Sequence, residues 1–473
     1  GAIATSGVDA DGVQVAGSAQ RVRVQGTIQT SGGSGGVSGI DGSGDGSFGA
    51  QGVDATGDYH FVWIDGGIIA TTGAYGDGVQ VEGDDNQVEI TSGSITTAGQ
   101  DATGASAFGD RAALVNHGVI STGGGGSHGF QVVGNTGSLV NHGTIETTGP
   151  AAHGMSTMLG NGTTLANGGT ITTQGQESHG VHAMGTDHRV IQAGSIATTG
   201  DRSDGIHLEG SLTDAMAAAW SVELGSAGVI STSGYTSSGI WIFGDGHRVV
   251  IDGLVETSGD FAGGAYLQGG GFLLVNNGTI TTSGEHSDAL SALGGGGSTV
   301  TNNGSIATSG TFSSGLFSNH DDNFLSNRGN ITTGGDYAHG IGTAAGSHSN
   351  LVDNSGSIDT AGTGATAMIV VGNENRLLNS GSIRTAGTNA EGLYARGTHN
   401  LLANSGDITT TGDRAAGLSS SGNDGRLENV GSVTTSGQEA HGIFGNGDGH
   451  TVSNGGPVTT TGQQADGIRV VGN

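Results

Sequence analysis

The sequence predicts an all-β, single-domain, right-handed parallel β-helix (a solenoid) of about 18 coils, with about 25 residues and three strands per coil. Three observations predict it. A nine-residue phrase keeps returning: "NSGSIRTAG" from Asn379, "NSGDITTTG" from Asn404, "NVGSVTTSG" from Asn429. Counted from the first Gly of that phrase, 18 units run from Gly1 to Gly456, and 11 of the 17 spacings are 25 residues. Position three is Ile or Val, position five is Thr and position seven is Gly in every one of the 18 units. The composition of 100 Gly and only 2 Pro would otherwise suggest collagen or disorder. Collagen needs Gly at every third residue, and a disordered chain has no reason to repeat Ile and Val in register.

The first strand of a unit is the apolar-x-Thr-x-Gly run, whose period of two sends alternate side chains to one face. Its Ile should fill the interior, stacked on the Ile of the next coil. Its Thr should turn inward near the corner, with the methyl packed and the hydroxyl bonded to backbone. Gly at position seven marks a turn where a Cβ would clash. The second strand reads "GVQV" (Gly12 to Val15) or "GLYA" (Gly392 to Ala395), and the third "RVRV" (Arg21 to Val24) or "NLLAN" (Asn400 to Asn404). Gly, Asn and Asp hold the corners. Two residues before the unit Gly lies a column of Asn: Asn276, Asn302, Asn327, Asn354, Asn379, Asn404, Asn429 and Asn454 fill it in consecutive coils, and Asn116, Asn141 and Asn167 in earlier ones. Such strict register points to an inward ladder of amides bonded to the turn and to each other.

The phrase N-x-G-x-I-x-T-x-G followed by G-[ILV] resembles the passenger domains of bacterial autotransporters (type V secretion) and related β-helical surface adhesins, along the whole chain. The resemblance implies export to the surface of a Gram-negative bacterium and fits the absence of Cys. The termini lie inside repeats, so we expect a piece of a longer protein, joined to a membrane only through an anchor domain outside residues 1–473.

Charge narrows the partners. With 42 acidic residues against 13 basic ones, all Arg, the formal charge is −29. Such a surface repels nucleic acid and anionic lipid. The expected partners are other copies of the chain or host and matrix surface molecules. No nucleophile elbow or zincin motif is present, and no carboxylate pair stands out, so we expect no enzyme and no cofactor. Calcium could bind the oxygen-rich turns "GDDN" (Gly83 to Asn86), "HDDN" (His320 to Asn323) and "GNEN" (Gly372 to Asn375).

Position eleven, expected to face out, reads His128, His153, His179 and Asp204 in four successive coils, a stack that could hold a transition metal such as zinc. Two insertions, about residues 33–48 and 211–227, read as loops on the solenoid. The second contains "TDAMAAAWSVEL", which predicts a short helix capped by Thr213 or Asp214. Met216 and Trp220 would share one side of it, and with Trp241 they form the expected contact patch. Low aromatic content argues against a sugar-stacking site. The sequence therefore reads as a non-enzymatic adhesin or passenger stalk for cell–cell or cell–surface attachment. The alternative is a subunit of an extracellular filament or matrix, built by end-to-end or lateral stacking.

Overall fold

The computed structural model describes residues 1–33, 49–210 and 220–472. The chain is an all-β parallel solenoid of about 18 turns of about 25 residues. It divides into two compact units, 1–237 and 238–473. All regular elements among the described residues are strands.

One coil of the second unit shows the plan. Its strands are Ser382–Thr385, Leu393–Arg396 and Leu401–Asn404. Each pairs in parallel with its counterpart one coil on: Ile383 with Ile408, Leu393 with Leu418, Asn404 with Asn429. The first strand alternates exposed and buried residues, so Ile383 and Thr385 go inside while Ser382 and Arg384 face out. In the first unit the third strand of one coil can run straight into the first strand of the next, as in Phe61–Thr71 and Gln87–Thr97. The core of each unit is thus a set of like-on-like columns, for example Ile120, Ile145, Ile171 and Ile196 in the first and Ile280, Ile306, Ile331 and Ile358 in the second, all within 1% of complete burial.

Strand pairing satisfies backbone groups only along the strands. At the corners other acceptors and donors are needed. The invariant Thr supplies one: Thr385 Oγ1 donates to Ala390 O at 2.5 Å and Thr410 Oγ1 to Ala415 O at 2.6 Å, the same five-residue reach in coil after coil. The invariant Gly is needed for a different reason from the one a lone turn would suggest. A Cβ on Gly412 would lie 1.8 Å from the carbonyl oxygen of Gly387, its counterpart one coil earlier. Coil-to-coil stacking at this corner excludes every side chain.

Of the loop expected at 211–227, residues 211–219 lie outside the described residues and the rest includes a strand. Thr213, Asp214 and Met216 lie outside the described residues. Ser221–Leu224, the end of the expected helix, is instead a strand paired with Arg189–Gln192. Val222 and Leu224 take buried places beside Val190 and Gln192, so the period-two register claims the end of the predicted helix. Trp220 is 1% exposed. It serves the core, not a contact patch, because a residue of this size gains most by leaving water.

Candidate functional site

Three features stand out on the two units: the histidine column, the oxygen-rich turns and an aromatic ladder. Position eleven is a hydrogen-bonding column. In coils with Asp, Gln or His there, the side chain can accept the backbone N–H of position eleven one coil on. Asp11 Oδ1 accepts from Gln51 N at 2.8 Å, Asp77 Oδ1 from Thr103 N at 2.7 Å, His128 Nδ1 from His153 N at 3.1 Å, His153 Nδ1 from His179 N at 3.1 Å, and His179 Nδ1 from Asp204 N at 3.0 Å. The second unit repeats it with Asp288 to Ser314 N (2.6 Å) and His339 to Thr366 N (3.1 Å). Asp, Gln and His share only an acceptor at this reach, and that is what the corner requires.

This corrects the outward assignment. His128, His153, His179 and Asp204 are buried, at 8, 9, 8 and 4% exposure. The three imidazoles fold along the corner toward their N–H donors, the Asp204 carboxylate lies against His207, and in the later coils a second row covers the column. That row, missed in the sequence, is His182 and His207, paired in register on the second strand. His179 and His207 stack at 4.0 Å between centroids, and His153 and His182 at 4.3 Å. The sequence does carry a signal for them: both sit three residues past a column member, in "HGVH" and "DGIH".

The column has an electrostatic consequence. Burial pushes His128 down to about 4, and burial with neighbouring imidazoles pushes His182 down to about 3. The same causes hold His153 and His179 well below the ordinary imidazole range. His207 differs. Burial pulls it down, but Nδ1 lies 2.6 Å from Asp204 Oδ2 and Nε2 lies 3.0 Å from Glu209 Oε1, and the two carboxylates carry its value above the ordinary one.

The oxygen-rich turns obey the corner rule too. Asp84 Oδ1 accepts Asp110 N at 2.9 Å, and Asp85 is paired with Arg111 at 2.7 Å. Asn323, Asn350, Asn375 and Asn400 form a second buried amide column: each Oδ1 accepts the N–H of the same position one coil earlier, at 2.8 to 2.9 Å. The amide ladder expected from the phrase has like geometry, with Nδ2 to Oδ1 distances of 2.7 to 2.8 Å from Asn276 through Asn302, Asn327, Asn354, Asn379, Asn404 and Asn429 to Asn454.

The third feature is invisible in a composition of 4% aromatics. Phe261, His286, Phe312 and Tyr337 stand at position nine of four successive coils of the second unit. Their rings stack at 4.9, 4.9 and 5.2 Å, within 10° of parallel. Phe261, Phe312 and Tyr337 are about half exposed, at 50, 47 and 50%. All four residues are left-handed, with φ between 52 and 56°. That conformation penalises side chains in general, and other coils place Gly126, Gly364 or Asn389 there as well as Tyr75, Ala151, Glu177 and Arg202; what distinguishes these four coils is the unbroken run of rings. Trp241 is half-buried on the second strand, beside Tyr266 of the next coil. A shallow groove of about 790 Å³ also marks this unit, between Glu391, Tyr394, Arg414, Glu439, His441 and Asp466. Asp466 lies 3.6 Å from Arg469 and 3.7 Å from His441.

Set against known proteins, the chain matches the BigA third pectate lyase-like domain over residues 122–386 and again, in a second register, over 252–471. The chain belongs to the BigA third pectate lyase-like domain family. A family that aligns twice on one chain is what a solenoid of near-identical coils should give. BigA-type membership and the solenoid together make the chain a passenger-like β-helix, as the repeat phrase implied. No curated protein matches it. Among solved structures, a chain of the Vag8–C1 inhibitor complex, determined by cryo-electron microscopy, is similar at 19% identity and a TM-score of 0.47, over 99% of each chain.

Proposed function

We propose that this BigA-type domain is a non-enzymatic, surface-exposed passenger segment. It attaches a Gram-negative cell to neighbouring cells or to matrix through the aromatic side of its second unit. The observation that carries the reading is the ladder Phe261–His286–Phe312–Tyr337. Bulky rings occupy left-handed turn positions at a conformational cost of roughly 1 kcal/mol each, where Gly or Asn would cost less. Stacking returns about 0.5–1.5 kcal/mol per pair. The turn itself therefore gains nothing from them. What the rings add is an apolar ridge on a rigid, otherwise polar and acidic surface, the kind of patch that marks an interaction site.

The test separates stability from attachment. Phe261→Asn, Phe312→Asn and Tyr337→Asn combined should leave the melting temperature within a few degrees of the parent, because Asn tolerates the left-handed turn. Attachment of the purified domain to cells or matrix should fall tenfold or more. Unchanged attachment by a folded triple variant would remove the ladder from the interface.

A further inference from the structure

We infer that His179, Asp204 and His207, with His182, form a binding site for one borderline divalent metal ion, of the class of zinc, cobalt or nickel. Their ligand atoms converge: one from each of His179, Asp204 and His207 lies within 4.8 Å of the others. The Asp204 carboxylate stands between two imidazoles, with Oδ2 2.6 Å from His207 Nδ1 and 3.6 Å from His179 Nδ1. His179 Nδ1 accepts the Asp204 N–H, so that nitrogen carries a lone pair and no proton. That nitrogen and an Asp204 carboxylate oxygen, both potential ligands, thus stand 3.6 Å apart with no hydrogen bond between them.

An independent observation points the same way. His182 is 9% exposed, its ring centroid lies 5.5 Å from those of both His179 and His207, and its Nδ1 is buried without a hydrogen-bond partner. A buried nitrogen of this kind is costly unless something binds it. His182, which stands outside the converging set, is therefore the fourth donor, brought in by movement of its ring.

The surroundings of the site are also those of a metal centre. His207 Nε2 lies 3.0 Å from Glu209 Oε1, the carboxylate–histidine arrangement that fixes the tautomer of a metal ligand and raises its basicity. With its proton on Nε2, His207 offers the Nδ1 lone pair toward Asp204. The metal takes the place of the proton shared by His207 Nδ1 and Asp204 Oδ2, and that proton leaves to solvent. Binding costs the Asp204 N–H its 3.0 Å bond to His179 Nδ1. Mixed nitrogen and carboxylate donors suit zinc and its neighbours and do not suit calcium. This trims the column read from the sequence. His128 and His153 lie outside the converging set and, unlike His182, have their Nδ1 hydrogen-bonded. His182 and His207 enter.

Calorimetric titration of the whole chain with zinc chloride tests the site, alongside cobalt(II) spectroscopy. One equivalent should bind saturably, and cobalt should give visible bands of nitrogen and oxygen ligation that stop growing at one equivalent. Asp204→Asn and His207→Ala should each weaken zinc binding at least tenfold, while His339→Gln, in the other unit, leaves it unchanged. Each bound equivalent should release protons in buffers of different ionisation heat. No saturable binding by the parent chain overturns the inference. So does binding that survives both substitutions, which would assign the metal to the general acidic surface. Should the variants misfold, the parent cobalt spectrum decides alone: bands typical of carboxylate and water ligation would overturn the site.

Discussion

At the scale of single residues, the position-eleven corner of this solenoid is governed by one need: an N–H that strand pairing leaves over must find an acceptor. His339 meets that need and becomes sensitive to pH by doing so. Its Nδ1 accepts Thr366 N at 3.1 Å, and burial pushes it down to about 4. The folded chain therefore keeps His339 neutral at a pH where the unfolded chain, near 6.5, has protonated it. Stability is lost as pH falls from about 6.5 toward 4, by about 1.4 kcal/mol per pH unit. His339→Gln keeps the acceptor, as Gln51 does at this position toward Asp77 N. It should be as stable as the parent at pH 8 and more stable by on the order of 2 kcal/mol at pH 5 in denaturant unfolding. Asp288, pushed up to about 6 chiefly by burial, runs the other way. Its contribution is present below about pH 4 and is lost as pH rises through 6. Asp288→Asn should stabilise at about pH 8 and do nothing at about pH 3.5. If either variant shifts stability equally at all pH values, its effect is steric and the titration argument fails.

At the scale of an element, a column is only as strong as its interior members. Asn379 takes a bond from Asn354 and gives one to Asn404, each at 2.7 Å. Asn379→Leu would leave the Asn354 amide and the Asn404 carbonyl unmatched in the core, at about 1–3 kcal/mol for each. Asn116 stands where its column begins: the coil before it has Ile90 in register. Asn116→Ile moves that boundary by one coil; it orphans one core group, Asn141 Oδ1, and the half-buried Gly118 N–H. Thermal unfolding should show Asn379→Leu as the more damaging change by at least about 1 kcal/mol. Equal losses would mean the amides do not act as a chain. The same comparison explains what can be read in the sequence. The Asn379 ladder is legible because one residue type holds one register. The column of position eleven is not, because Asp, Gln, Thr and His alternate in it and only their shared task unites them. The Asn323–Asn400 column hides among turn residues that resemble calcium ligands. Trp220 is easily misplaced because an Ala-rich stretch advertises a helix locally, while the coil-to-coil register that claims Val222 and Leu224 is not local.

At the scale of the whole molecule, a solenoid touches only its neighbours in sequence order, so damage should stay where it is made. Gly412 is the sharpest place to ask this, within the second unit. Its missing Cβ would stand 1.8 Å from the backbone oxygen of Gly387, and backbone held by strands on both sides cannot retreat from it. Gly412→Ala should therefore break the stack between those two coils. Hydrogen exchange should show protection in Ser382–Thr385 and Asp407–Thr410 falling by about 100-fold or more, the signature of a local opening. Thr279–Thr282, five coils away, should keep the protection of the parent chain. Ile280 there is held by Val255 and Ile306, and neither meets the Gly412 corner. A uniform loss across the unit would show that the stacked amides and the Ile column couple distant coils into one cooperative block. Attachment through the second unit would then be exposed to any lesion within it. Confined loss would mean that a long repeat array can carry a damaged coil and still present the aromatic ladder between Phe261 and Tyr337.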